Sequence, residues 1–374
     1  MSNSSSVKPY KTASQMIWKM SPAERDYSLK LDWNEATIMP SQEIKKALLH
    51  LLLDEEFYQF YPAVYNEELL EALADYARIS QNNVQYFVGS DTLHEYIARC
   101  WIKEKDKVLL LWPTYDNFRF TAEIAGAELM FYYVDEDFNV DAESFRQMIK
   151  KEKPVLVYIC NPNNPTGTLI DSDSLEIWIK EFPETLFVID EAYSEFSGVS
   201  MNQSTLKYEN LLVTQTMSKA FGLANFRFGY LVASEKNIQK ISDIRNSKNI
   251  STITQVAVLA ALKDKAYVMK YVKEVNRAKD ELITRLKKTT KSVQYRVFSS
   301  RANFFIIKFN DEKIKKIVHE RLADFHIYVR DLVHGSPVEN SLRITVGTRA
   351  QMDVFYEKFV LILKELEGER VNGR

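Results

Sequence analysis

The sequence predicts an α/β protein, a mostly parallel mixed sheet between helices followed by a smaller α+β domain. Three observations predict it. Short apolar runs alternate with helical stretches through the middle of the chain. The runs are apolar at successive positions rather than alternating ones, the reading of strands covered on both faces. Beyond about residue 250 the order changes to one long helical region and then strands with helices between them.

In chain order, residues 1–30 read as a polar, loosely ordered arm, and MSNSSSVKPYKTAS lacks the apolar stretch of a secretory leader. From about 42 to 60 the pattern is helical, and Tyr61-Pro62 ends it, because the residue before proline avoids the α region. A second helix, Glu67 to Ile79, puts Leu69, Leu70, Leu73, Ala74 and Ala77 on one face. The strand runs are VQYFVG, KVLLLW, ELMFYYV, PVLVYIC, TLFVID, NLLVTQ and RFGYLVAS. A long helix over Thr252 to Lys288 then leads to strands near SVQYRVFS, NFFIIKF and SLRITVG. The expected division is an arm, 1–30, a large domain, 31–248, and a small domain, 249–374, with 31–45 open to packing on the small domain instead.

The composition is that of a soluble globular protein, with 46% apolar and 27% charged residues among 374. A net charge of −2 gives no electrostatic footprint for nucleic acid or an anionic membrane. No run approaches the roughly eighteen apolar residues of a membrane span. Cys100 and Cys160 sit in apolar runs and read as reduced, buried thiols, so a cytoplasmic location is expected. The five histidines form no metal-ligand spacing, and no metal is expected.

Ligands of open α/β sheets bind outside the carboxyl ends of the strands. The residues at those ends are Gly89-Ser90-Asp91 after VQYFV, Pro113-Thr114-Tyr115 after KVLLLW and Asn161 to Gly167 after PVLVYIC. Asp190-Glu191-Ala192-Tyr193 follows TLFVI, and Met217-Ser218-Lys219 follows NLLVTQT. Five strand ends thus offer amide, carboxylate, phenol, amine and hydroxyl groups to one crevice.

With NPNNPTG, DEAY, SKAFGLANFRFG and LRITVGT in that order, the chain resembles the fold-type I pyridoxal-phosphate enzymes. Within them it resembles the class I/II aminotransferases, and most of all the histidinol-phosphate aminotransferases, from about Asp32 to the end. The resemblance implies a cofactor, pyridoxal 5′-phosphate, carried on Lys219, whose freed amine then shuttles protons. Asp190 would keep the pyridine nitrogen protonated, although Asp also suits a helix N-cap. Tyr193 and Asn164 would bond the phenolic oxygen, Asn-Pro being equally a turn former. Arg227, Ser218, Thr216 and the Gly89-Ser90-Asp91 loop would hold the phosphate, the loop having N-cap residues of its own. Tyr115 would stack on the ring, unless it is a core tyrosine. Tyr61 would reach the phosphate of a partner subunit, which makes a homodimer with shared sites. Arg343 and Arg330, with Asn34 and Glu35 nearby, would receive the substrate and its anion.

The chain departs from the family pattern at Ala36-Thr37, at Thr92 and at Arg245-Asn246-Ser247-Lys248-Asn249. The last segment borders the substrate pocket in the family, which points to a different acceptor. The expected activity is transfer of an amino group from an amino acid, glutamate being a candidate, to a small anionic, phosphorylated ketone such as imidazole acetol phosphate. The alternatives are a phospho-amino-acid decarboxylase of the same superfamily, and a cofactor-binding regulator, for which the N-terminal arm is too short and too neutral.

Overall fold

The computed structural model describes residues 16–289, 293–332 and 337–371. Residues 1–15 of the expected arm lie outside them. Twelve strands are described: β1 Leu29–Leu31, β2 Val84–Phe87, β3 Lys107–Trp112, β4 Glu128–Tyr133, β5 Leu156–Cys160, β6 Leu186–Asp190, β7 Leu211–Thr216, β8 Gly229–Ala233, β9 Tyr295–Val297, β10 Phe304–Phe309, β11 Ile327–Leu332 and β12 Ser341–Thr345.

All seven of the apolar runs that predict the large sheet are strands in it, in the order β2-β8-β7-β6-β5-β3-β4. β8 alone runs against its neighbours. The central strands β5, β6 and β7 are buried at every position, which explains their apolar runs, with buried polar residues confined to the carboxyl ends of β6 and β7. The edge strand β4 is partly exposed throughout. The second sheet runs β1-β11-β12-β10-β9, with β1 parallel to β11 and the other pairs antiparallel. The N-terminal chain therefore enters the C-terminal sheet at Leu29.

Two strands escape sequence reading for physical reasons. β1 has three residues, and β11 carries Arg330 and Asp331 within a half-buried run. The long helix expected over Thr252 to Lys288 is two helices, Thr252–Lys263 and Lys265–Lys288, separated by Asp264. Asp264 leaves helical geometry and accepts the hydroxyl hydrogen of Ser41. Residues 42–60 likewise form a helix, Gln42–Leu52, and a 3-10 turn, Glu55–Tyr58, capped by Asp54. The helix Glu67–Ala77 starts at Asn66, whose side chain accepts from the Leu69 amide. It buries Leu69, Leu70 and Leu73, worth about 1.5–3 kcal/mol each.

Candidate active site

In the large sheet, the chain steps from β3 to β4 on one side and through β5, β6 and β7 on the other. Strand order reverses there, and a crevice opens beyond the carboxyl ends. The N-terminal segment after β1 and the strands of the second sheet close over it.

Lys219 stands in a tight loop after β7, in which the Gly222 amide donates to Lys219 O and the Leu223 amide to Met217 O. Gly222 takes φ +69, the left-handed region. The Lys219 amine donates to the carbonyl of Trp33 at 3.0 Å. Desolvation, with some help from the Arg343 charge, pulls its pKa down to about 8. The amine is therefore largely neutral, and nucleophilic, at mildly alkaline pH.

Tyr193 links the two sheets. Its hydroxyl accepts from Asn34 Nδ2 at 3.0 Å and from Asn164 Nδ2 at 3.1 Å. Asn34 adopts φ +57, which asparagine tolerates, and is fixed by Thr345 and Asn303 of the second sheet. Arg343 of β12 donates to Asn164 Oδ1 at 2.6 Å and to the carbonyl of Asp32 at 2.7 Å. Burial raises the Tyr193 pKa, opposed by the charge of Arg343. Of the paired asparagines, Asn163 ties two loops together, donating to Pro113 O and Thr166 and accepting from Thr114. Asn164 alone faces the crevice group.

Asp190, at the end of β6, is buried. It accepts the Tyr158 hydroxyl at 2.7 Å and the Ala192 amide at 3.2 Å, and His94 Nε2 stands 3.8 Å away. The next residue, Glu191, is a buttress: it accepts from Ser200, the Met201 amide and Gln215, and burial lifts its pKa to about 8.

The rim is formed by the helix Gly89–Trp101 and the loop before β8. Arg227 donates to Asp91 at 3.2 Å, and Tyr115 donates to the same carboxylate at 2.9 Å. A side chain on Gly89 would meet the Arg227 guanidinium at 2.7 Å, and one on Gly229 would meet the Gly89 backbone at 2.7 Å. Both glycines are needed for this close approach, and the first amides of a helix are left facing the gap. The Thr216 hydroxyl turns inward to Phe228 O and to Ser218.

Of the remaining expected residues, Tyr61 stands apart, while Glu35 acts on Lys219 through its charge and Arg330 lies beside Arg343. Tyr61 is 81% exposed, with Lys248 over its ring at 5.1 Å, and meets none of these groups. Glu35 is bonded to Lys30. Arg330 is half-buried on β11, opposite Arg343 in the strand register. Sequence reading missed Trp33, whose contribution is a backbone carbonyl, and His94, Tyr158 and Thr345, which look like core residues. Among the described residues no group of three or more His, Cys, Asp or Glu is placed to hold a metal ion, and no helix is long and apolar enough to cross a membrane.

The family described as aminotransferase class I and II matches residues 28–359. The chain is 36% identical to a dihydroxyacetone phosphate transaminase of Campylobacter jejuni over 98% of both chains. It is 31% identical to a histidinol-phosphate aminotransferase of Ruminiclostridium cellulolyticum, over 91% of this chain and 94% of that one. Its fold superposes on the histidinol-phosphate aminotransferase of Sinorhizobium meliloti, solved with pyridoxal 5′-phosphate, with a TM-score of 0.81 at 23% identity over 96% of this chain and 100% of that one. The chain belongs to the class I and II aminotransferases, and is an aminotransferase of fold-type I.

Proposed function

We propose that this class I and II aminotransferase carries pyridoxal 5′-phosphate on Lys219 and moves an amino group from an amino acid to a small phosphorylated ketone of the dihydroxyacetone phosphate kind. One observation carries the reading: the desolvated amine of Lys219 opens on a crevice whose other groups are a buried carboxylate, a buried phenol and two amide side chains. The substrate class rests on the Campylobacter jejuni relative, matched over nearly the whole of both chains.

The residues fit the cofactor. Gly89 and Gly229 leave a cradle beside the Ser90 amide and the Arg227 guanidinium, suited to a phosphate. Asp190, buried and held by Tyr158, would be a fixed anion for a protonated ring nitrogen. Once bound, pyridoxal phosphate supplies an electron sink for the pair left when the substrate Cα–H bond breaks. Lys219 Nζ takes that proton and returns it, for which a pKa near operating pH is suited. Tyr193 and Asn164 address the ring oxygen, Tyr115 covers the ring face, and Ser90 and Ser218 add donors to the phosphate. Arg343, backed by Arg330, takes the substrate's anionic group as a planar bidentate donor, and Asn34 and Glu35 line that end.

The working unit is a homodimer. Leu53, Phe60, Tyr61 and Tyr65 expose large apolar surface in one stretch of chain, and a second copy would cover them and place Tyr61 at the neighbouring phosphate. Residues 31–248 and 249–374 form its large and small domains, with the first segment, 31–45, packing on the small one. The free thiols of Cys100 and Cys160 agree with a cytoplasmic location.

The test loads purified protein with cofactor and screens amino donors for loss of its visible absorbance. Dihydroxyacetone phosphate and imidazole acetol phosphate are then screened for its recovery. Protein whose band no amine discharges refutes the reading. Amine release from a phospho-amino acid without any ketone makes the enzyme a decarboxylase instead.

A further inference from the structure

The helix that presents Gly89 and Ser90 to the phosphate cradle also sends His94 inward, and nothing derived so far uses it. His94 is fully buried. Its ring stands edge-on to Phe118 at 5.4 Å and to Tyr158 at 5.6 Å, and those two rings stack on each other at 4.2 Å. Nε2 is 3.3 Å from Thr214 Oγ1 and 3.8 Å from Asp190 Oδ2. Thr214 is the cross-strand neighbour of Asp190 in the β6–β7 register. Nδ1 is buried and, among the described residues, has no hydrogen-bond partner.

That last fact selects the form of the ring. A hydrogen on Nδ1, in the other neutral tautomer or in the cation, would be a buried donor without an acceptor, a penalised state. A hydrogen on Nε2 alone satisfies the geometry. It bonds Thr214 and turns the positive end of the N–H dipole to Asp190. At 3.8 Å this is an ion–dipole contact rather than a hydrogen bond. In so dry a setting its field is little screened.

We infer that His94 is a positioning residue of the transfer reaction: a neutral imidazole that, with the Tyr158 hydroxyl, fixes the Asp190 carboxylate towards the cofactor's ring nitrogen without neutralising it. A cation in this place would compete with the ring nitrogen for the carboxylate. An aliphatic side chain would leave the carboxylate held by Tyr158 and the Ala192 amide alone. The inference rests on the proposed role of Asp190.

The test compares wild type with His94→Leu and His94→Gln, each loaded with pyridoxal phosphate labelled with 15N in the ring. The resonance of that nitrogen reports its protonation directly. In His94→Leu it moves towards the unprotonated value, and the rate of the donor half-reaction falls about tenfold with little change in the donor's KM. In His94→Gln, whose amide N–H reaches the same gap, the resonance lies between the two. Thr214→Val, which removes the partner of Nε2 and leaves His94 in place, gives a smaller shift in the same direction and stands in if the leucine variant does not fold. A wild-type resonance in whichever of these two variants is folded and loaded overturns the inference, as does an equal displacement in His94→Leu and His94→Gln, which marks His94 as packing only. Wild-type protein that takes up no cofactor overturns the reading of Lys219 and Asp190 instead, and this inference with it.

Discussion

At the floor of the crevice, Asp190 is buried against Tyr158 and His94. At the rim, Asp91 meets Arg227 with 36% and 46% of their side chains in solvent. Both are aspartates at the end of a strand or the start of the helix that follows. The rim pair is of the exposed kind whose net worth is about 0–1 kcal/mol. It can open at little cost and hand Arg227 to an incoming phosphate. The floor carboxylate has no such freedom: its charge is tolerated because donors of fixed orientation surround it. One region is built to exchange partners, the other to keep them.

The strongest test of that contrast is to remove the amine that both regions serve. Lys219→Ala loses the cofactor's covalent band and at least about 10⁴-fold of the transfer rate, read by single-turnover absorbance. Next comes the same change made at floor and rim. Asp190→Asn lowers the half-reaction rate by about 10²–10³-fold, because a preorganised charge is lost. Asp91→Asn alters cofactor affinity by less than about fivefold, as an exposed pair allows. Equal losses at the two positions would dissolve the distinction.

A third test varies pH. Desolvation lowers the Lys219 pKa to about 8, so the amine becomes neutral as pH rises through that value. The rate at which apoprotein captures pyridoxal phosphate climbs about tenfold per pH unit below 8 and levels off above it. A further effect is expected at the substrate end. Arg343→Lys keeps the charge and loses the planar fork, raising the acceptor's KM about tenfold while the donor-independent cofactor affinity stays unchanged.

Much of this was legible because strands buried on both faces leave their polar residues at one end. Asn164, Asp190, Tyr193 and Lys219 each end or follow a strand that begins as an apolar run, so their places at the crevice can be read in one dimension. What binds them together cannot. Arg343 reaches Asn164 across 179 residues, and Asn34 reaches Thr345 across 311. His94 and Tyr158 lie inside apolar sequence and differ from core residues only in what stands opposite them. Asn163 and Asn164 are adjacent and alike, and it is their partners from other loops, Pro113 and Tyr193, that separate the structural one from the crevice one. Thr216 sits beside Lys219 in sequence, yet its hydroxyl serves the backbone of Phe228.

The clasp of Asn34 on Tyr193 is locked by Thr345, so three remote parts of the polypeptide must meet before it shuts. A ribosome delivers them in order: the asparagine early, the tyrosine midway, the threonine almost last. During synthesis the large sheet can therefore assemble around an unfinished pocket, with its phenol waiting for an amide that nothing yet holds in place. Tight capture of the coenzyme becomes a late event in the life of each new molecule, and a chain cut short before β12 would fold most of its mass and still lack the latch.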